Sequence, residues 1–213
     1  MQNHIVRPDF SIYLAHFTTN RKACSESIEN PALQFNGNSA LEKLISILKS
    51  KKIFASTMPW IKSNAVCFTE CPWSSLLQHT KRYSPYGLGF TKPHIYVSGG
   101  GPVFYIKEDL LKSGISTNDK IKPFLTPFIP PYSTQNHKTS SKFPTHVDFT
   151  HEREWRVPHD FTFKVDEIQF IVVAKHADIE NILSQIPWKI PEDKFLSIDM
   201  YNKIEHLWPT HII

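Results

Sequence analysis

The spacing of apolar residues predicts a strand, a helix and a second strand between residues 13 and 56. Four apolar positions recur at intervals of three and four residues, the spacing of an amphipathic helix: Leu41, Leu44, Ile45 and Leu48. Ser39 and Glu42 stand where a capping box would begin this helix. The run YLAHFTTN before the helix and the run KKIFAS after it are typical of strands, and His16 and Thr18 share one face of the first.

A second pattern, the run HEREWRV at residues 151–157, predicts a strand with three charged side chains on one face. Successive side chains of a strand point to opposite faces, so Glu152, Glu154 and Arg156 should project together. Neighbouring carboxylates raise each other's pKa and an arginine favours their ionised forms, an arrangement that suits acid, base or transition-state charge chemistry. The alternative is a solvated outer face with a surface ion pair.

The remaining runs complete a pattern of short strands and few helices. We predict strands at 161–165, at 168–174 and around 195–198, with a helix at 177–185. Shorter strands are expected in the CFTE, YGLGF and GPV parts of the runs VCFTECP (66–72), RYSPYGLGF (82–90) and GGGPVFY (99–105). This pattern indicates an α+β protein. With no internal repeat, we predict one domain over residues 1–213. The Pro-rich polar stretch 123–150 is predicted to be a mobile loop, either a functional lid or a tolerated insertion.

Composition narrows the class of protein. No apolar run is long enough for a bilayer span and the N-terminus lacks a signal-peptide core, so we expect a cytoplasmic protein without a membrane partner. The three cysteines indicate neither a disulfide framework nor a zinc site, and Cys67 is expected to be a small core residue. The eleven histidines are scattered, and we predict no metal.

Charge is unevenly distributed along the chain. Residues 1–107 carry 12 Lys and Arg against 5 Asp and Glu, whereas the remaining residues carry 12 against 15. The basic half includes Lys49, Lys51 and Lys52 and would favour a polyanion, so we predict that these lysines bind nucleic acid. The alternative is an ordinary solvated helix end, where lysines also suit the helix dipole.

The order of these motifs resembles that of the ADP-ribosyltransferase superfamily, whose diphtheria-toxin-like branch begins with a His-x-Thr strand and an L-x-x-I-L helix. The CFTE-like, YGLGF-like, Gly-Pro-Val and E-x-E-W-R runs in this order resemble bacterial abortive-infection proteins of the AbiGi type. These are similar in layout to DarT-type and CmdT-type nucleic-acid ADP-ribosyltransferases. The resemblance implies split antiparallel sheets with NAD, the substrate, bound between them.

The resemblance also implies a role for each candidate residue. Glu154 would stabilise the oxocarbenium-like ribose formed when NAD is cleaved, and Glu152 would orient the acceptor. The NAD-binding residues would be His16, Thr18, Arg82, Tyr83 and Tyr86, with one of the two tyrosines stacked on nicotinamide. The acceptor would contact Phe143, His146, Phe149 and Arg156, besides the three lysines.

The expected function is that of a mono-ADP-ribosyltransferase toxin in a phage-defence system. It would transfer ADP-ribose from NAD to RNA or single-stranded DNA and be restrained by a cognate antitoxin, with or without a chaperone. One alternative is an NAD glycohydrolase toxin. The other is a noncatalytic binding or antitoxin module, in which Glu152, Glu154 and Arg156 would form a surface ion-pair cluster.

Overall fold

A computed structural model of the chain describes residues 11–21, 34–35, 37–58, 60–70, 80–113, 118–130 and 147–207. The strands are β1 (Tyr13–Phe17), β2 (Lys52–Ile53), β3 (Ser56–Met58), β4 (Ser63–Thr69), β5 (Gly87–Thr91), β6 (Gly101–Pro102), β7 (Phe104–Lys107), β8 (Leu125–Phe128), β9 (Glu154–Val157), β10 (Phe161–Thr162), β11 (Phe170–Val173) and β12 (Phe195–Ser197). The α-helices that lie wholly within the described residues are α1 (Ala40–Ser50), α2 (Lys92–Val97), α3 (Glu108–Lys112), α4 (Ala177–Gln185) and α5 (Ile198–Leu207).

Most strands belong to one eight-stranded sheet. Its order is β12-β11-β5-β1-β4-β9-β6, with β3 paired to β4, and every pair except β11 with β12 is antiparallel. Two small sheets, β10-β2 and the parallel pair β7-β8, lie beside it. The predicted α+β class is therefore confirmed.

The large sheet is joined at its centre by a single residue pair. Strand β1 pairs with β5 along its whole length, from Tyr13 to Phe17, but pairs with β4 only where Ala15 faces Thr69. The two strands part on one side of this pair and leave a gap in the sheet. Whether the arrangement is that of the ADP-ribosyltransferase superfamily stays a prediction.

The apolar residues of α1 form part of the main core, as their spacing predicts. Leu44 and Leu48 are buried with Leu14 of β1, Phe90 of β5 and Ile171 of β11. The capping box is present, since the Ser39 side chain accepts from the Glu42 backbone and Glu42 reaches back to the Ser39 backbone. Helix α4 also has its predicted bounds, Ala177–Gln185.

The YGLGF-like strand expected within the run 82–90 is present as β5. Residues 80–82 are helical and the strand begins at Gly87. The Ser84 hydroxyl donates to the Thr18 carbonyl at 2.7 Å and accepts from the Tyr86 backbone at 3.2 Å. A serine that bonds to nearby backbone in this way competes with strand pairing and favours a turn.

The prediction that residues 123–150 form a loop is wrong in part. Strand β8 lies within this stretch and runs parallel to β7, and Ile129 forms a bridge with Val147. Thr126 of β8 is fully buried, and its hydroxyl accepts a hydrogen bond from the Arg156 side chain. Residues 131–146 lie outside the described residues.

In the part of the chain that the structure describes, no helix has the length and apolar character needed to cross a membrane.

Candidate functional site

A cavity of about 290 Å³ opens where β1 and β4 part. Its apolar side is formed mainly by aromatic rings, contributed by Phe17, Phe54, Trp60, Phe68 and Phe149. The polar side, here called the acidic wall, consists of His16, Tyr83, Glu152 and Glu154. The fold therefore brings five of the predicted site residues to one place: His16, Tyr83, Phe149, Glu152 and Glu154.

His16 is held by the strand from which β1 separates. Its Nδ1 lies 2.9 Å from the carbonyl oxygen of Cys67 on β4. A carbonyl can only accept a hydrogen bond, so Nδ1 carries the proton. Burial lowers the pKa of His16, which favours the neutral ring and leaves Nε2 as an acceptor.

Glu152 reaches the cavity from a turn, and its predicted place on the same strand as Glu154 is wrong. Residues Thr150–Glu152 form a 3₁₀ turn, and Arg153 then adopts a left-handed conformation with φ 44° before β9 begins. The Thr69 hydroxyl holds this turn by donating to the Glu152 carbonyl at 2.6 Å. A hydrogen bond from a strand distant in the sequence therefore helps to override the alternation in this run.

The Glu152 carboxylate is buried, accepts a hydrogen bond from Tyr83 and forms an ion pair with Arg82. The Tyr83 hydroxyl lies 2.8 and 3.0 Å from its two oxygens, and Nη1 of Arg82 lies 3.2 Å from Oε1. Burial raises the pKa of Glu152, and these donors only partly offset that effect. Burial and the Glu152 charge in turn raise the pKa of Tyr83, so its hydroxyl stays protonated.

Arg82 lies at the rim of the cavity. Its guanidinium lies 4.8 Å from the Phe149 ring centroid and donates to Nε2 of His151 at 3.0 Å. The side chain is 37% exposed, so it can move without opening the core. The predicted contact of Arg82 with a pyrophosphate stays a prediction.

Glu154 and Arg156 share a face of β9, as predicted, but they form an internal ion pair rather than a surface one. Nε and Nη2 of Arg156 donate to the two Glu154 oxygens at 2.8 and 2.9 Å. The other guanidinium N–H groups donate to the Pro123 carbonyl at 2.9 Å, the Leu125 carbonyl at 3.0 Å and the Thr126 hydroxyl at 2.7 Å.

Arg156 is 0% exposed, so these contacts leave its guanidinium no donor for an acceptor molecule. The expectation that it contacts the acceptor is corrected on this ground. The same burial excludes the surface ion-pair cluster that was the alternative. Arg156 instead ties β9 to the segment that leads into β8, and it balances the charge of Glu154.

Two predicted NAD-binding residues lie away from the cavity. The buried Thr18 hydroxyl lies 2.8 Å from the Ala40 carbonyl and 3.1 Å from the Tyr86 carbonyl, and so ties the end of β1 to the start of α1. The Tyr86 hydroxyl donates to Asp178 Oδ2 at 3.0 Å, and burial raises the pKa of Tyr86 to about 12. Neither side chain lines the cavity.

The predicted basic surface is partly occupied by contacts within the chain. The Lys51 ammonium lies 4.1 Å from the centroid of the Trp188 ring, and Lys52 forms an ion pair with Asp160 at 2.7 Å. Lys49 is exposed in the last turn of α1. None of the three lines the cavity.

The loop residues Phe143 and His146 lie outside the described residues. Phe149 lies just before the Glu152 turn and lines the cavity. Sequence reasoning missed Trp60, whose indole donates to the Leu125 carbonyl at 3.2 Å and whose ring stacks on Phe149. Its only sequence signal is that it is a large aromatic residue within the turn-forming run MPWIKSN.

Cys67 also lines the cavity, with its sulfur 3.8 Å from the sulfur of Met58. Burial and the Glu154 charge raise the pKa of this thiol well above its usual value, so it is a poor nucleophile. Within the described ranges no group of three His, Cys, Asp or Glu is placed to hold a metal ion.

Comparison with known families gives one finding. Residues 39–185 match the family described as "Putative abortive phage resistance protein AbiGi, antitoxin". Comparison with curated proteins and comparison with solved structures gave no match.

The match corrects the expected function. A toxin that transfers ADP-ribose is the wrong role, because the family is described as an antitoxin, which fits the noncatalytic alternative better. It supports the resemblance to AbiGi-type proteins but not membership of the ADP-ribosyltransferase superfamily, and it gives no support to a nucleic-acid acceptor. Since the match covers well over half of the sequence, the chain belongs to the AbiGi family of abortive phage resistance proteins.

Proposed function

We propose that this chain is the antitoxin of an abortive phage resistance system and neutralises its cognate toxin by binding it. The observation that carries this proposal is the family match over residues 39–185, together with the antitoxin role in that family's description. A noncatalytic role is the part of the proposal that the geometry of the cavity supports.

The charges of the acidic wall are already matched within the protein. A catalytic carboxylate stabilises a transition state because its charge is left for the reacting group. Here the two oxygens of Glu154 accept from Arg156, while Glu152 accepts from Tyr83 and forms an ion pair with Arg82. Such pairing favours a preformed binding surface over a site for bond cleavage.

A growth assay tests the antitoxin role. The wild-type chain and each gene flanking its own are expressed separately and then in pairs from inducible promoters. We expect the chain alone to leave growth unchanged, one flanking gene to arrest growth, and co-expression to restore it. Growth arrest by the chain alone, or no rescue of any arresting neighbour, would overturn the proposal.

Incubation with NAD tests the noncatalytic part. Whether the chain binds or cleaves NAD stays a prediction from the resemblance. For a binding module, we expect purified protein to leave the NAD concentration unchanged and to release no ADP-ribose, with or without added RNA and DNA. Turnover of NAD that disappears in a folded Glu154→Gln variant would contradict a noncatalytic role.

A further inference from the structure

The acidic wall offers acceptors to whatever enters the cavity. His16 presents Nε2 as a lone pair, because its other nitrogen donates to the Cys67 carbonyl. The Tyr83 hydroxyl already donates its proton to Glu152, and the two carboxylates can each accept further hydrogen bonds. A ligand that fits this wall must therefore supply donors.

One of the two cations that balance the acidic wall is exposed and can be exchanged for a ligand cation. Glu152 and Glu154 contribute two negative charges, whereas the buried Arg156 contributes one positive charge. The other nearby cation, Arg82, sits at the rim and is 37% exposed. Arg156 and Arg82 together balance the two carboxylates, and a ligand cation that displaces the exposed Arg82 from Glu152 would restore the same balance of charge.

The aromatic residues that line the cavity select for the shape of the cation. Trp60 and Phe149 stack with their ring centroids 6.5 Å apart, and Phe54 lines the same cavity. A guanidinium is planar, is more weakly hydrated than an ammonium and stacks on aromatic faces. A volume of about 290 Å³ is large enough for one arginine side chain.

We propose that this cavity receives one arginine side chain of the cognate toxin, an inference that rests on the proposed antitoxin function. The guanidinium inserts between the aromatic rings and donates to Glu152, Glu154 and His16 Nε2. Its fork of donors matches several acceptors at once, which a lysine ammonium does less well. Arg82 swings outward from the rim as the incoming cation replaces its contact with Glu152.

A small-molecule probe tests the chemistry of the cavity. N-acetyl-arginine amide is titrated into the full chain at neutral pH, with the Trp60 indole N–H followed by NMR. We expect a saturable shift, and none with N-acetyl-citrulline amide, which has nearly the same shape but no charge. No saturable shift, or an equal response to both probes, would overturn the proposal.

Two variants locate the probe. Glu152→Gln should weaken its binding by roughly tenfold or more, the usual effect of losing a charge-assisted hydrogen bond. The control Glu180→Gln removes an exposed carboxylate of α4 outside the cavity and should leave binding unchanged. If Glu152→Gln does not fold, His16→Leu replaces it and should also weaken binding. Equal binding by wild type and the cavity variant would refute the site.

The growth assay separates this inference from the proposed function. If the wild-type chain restores growth in the presence of the toxin and a folded Glu152→Gln variant restores it less, both the antitoxin role and the arginine pocket are supported. Full rescue by both proteins keeps the antitoxin role and overturns the arginine pocket. Absence of rescue by wild type overturns the antitoxin role and, with it, the toxin as the source of the arginine, even if the free probe binds.

Discussion

Replacing Arg156 with methionine should destabilise the protein by about 4 kcal/mol. The substitution leaves Glu154 without its bidentate partner, and breaking a buried ion pair from one side costs about 3 to 5 kcal/mol. It also removes the donors to two carbonyls and to the Thr126 hydroxyl. Losses at neighbouring groups do not add, and the methionine side chain recovers some apolar contact, which keeps the total near the middle of that range.

Urea unfolding followed by far-ultraviolet circular dichroism measures this loss. With a denaturant slope of about 2 kcal/mol per molar urea, a loss of this size lowers the midpoint by about 2 M. Because a domain is typically stable by only about 5 to 15 kcal/mol, the variant should remain folded in buffer but melt at low urea. Arg156→Lys should retain the charge but lose most of the simultaneous contacts, so its urea midpoint should lie between those of wild type and Arg156→Met.

The matched control is Arg153→Met, three residues earlier. The Arg153 side chain is 39% exposed and lies 3.9 Å from the nearest Glu70 oxygen, so its loss should cost less than about 1 kcal/mol. A double-mutant cycle of Arg156→Met with Glu154→Gln should give a coupling of at least about 1 kcal/mol. A loss below about 1 kcal/mol in Arg156→Met, or one equal to that in Arg153→Met, would refute the reasoning.

Three further outcomes can be measured in the same unfolding assay. Burial raises the pKa of Glu152, so its contribution to stability is present below the ordinary carboxyl pKa and is lost as pH rises through the folded-state value; the stability of wild type relative to Glu152→Gln should therefore fall as pH rises above the ordinary carboxyl pKa, and a constant difference would contradict the shift. Ser39→Ala removes half of the capping box of α1 and should cost about 1 kcal/mol, whereas an unchanged midpoint would mean that this helix end does not depend on the cap. Thr18→Val should cost about 1 to 3 kcal/mol, because the buried Ala40 and Tyr86 carbonyls lose a shared donor, and a gain in stability would show that the hydroxyl is not needed there.

The helices show how far local sequence information reaches. The start of α1 and the bounds of α4 follow from the spacing of apolar residues and, for α1, from a capping box within four residues. These are interactions between neighbours in the sequence, so they could be predicted. Residues 82–86 could not, because Ser84 bonds to Thr18, which lies 66 residues away.

The candidate site shows the same difference between local interactions, which could be predicted, and long-range interactions, which could not. The run HEREWRV correctly indicates that Glu154 and Arg156 share a face, since alternation along a strand is a local property. It does not indicate that Glu152 lies in a turn, because that turn is held by Thr69 of β4. Nor does it indicate that Arg156 is buried, because three of its partners come from a segment some thirty residues earlier.

The sequence by itself determined the α+β class, the amphipathic faces and the set of charged and aromatic residues from which a site could be built. Only the tertiary structure decided which of them meet. His16, Tyr83 and Glu152 line one cavity, while Thr18 and Tyr86 are used to join β1, α1 and α4. The physical reason is that buried polar groups must find partners, and those partners are supplied by whichever strands the fold places alongside.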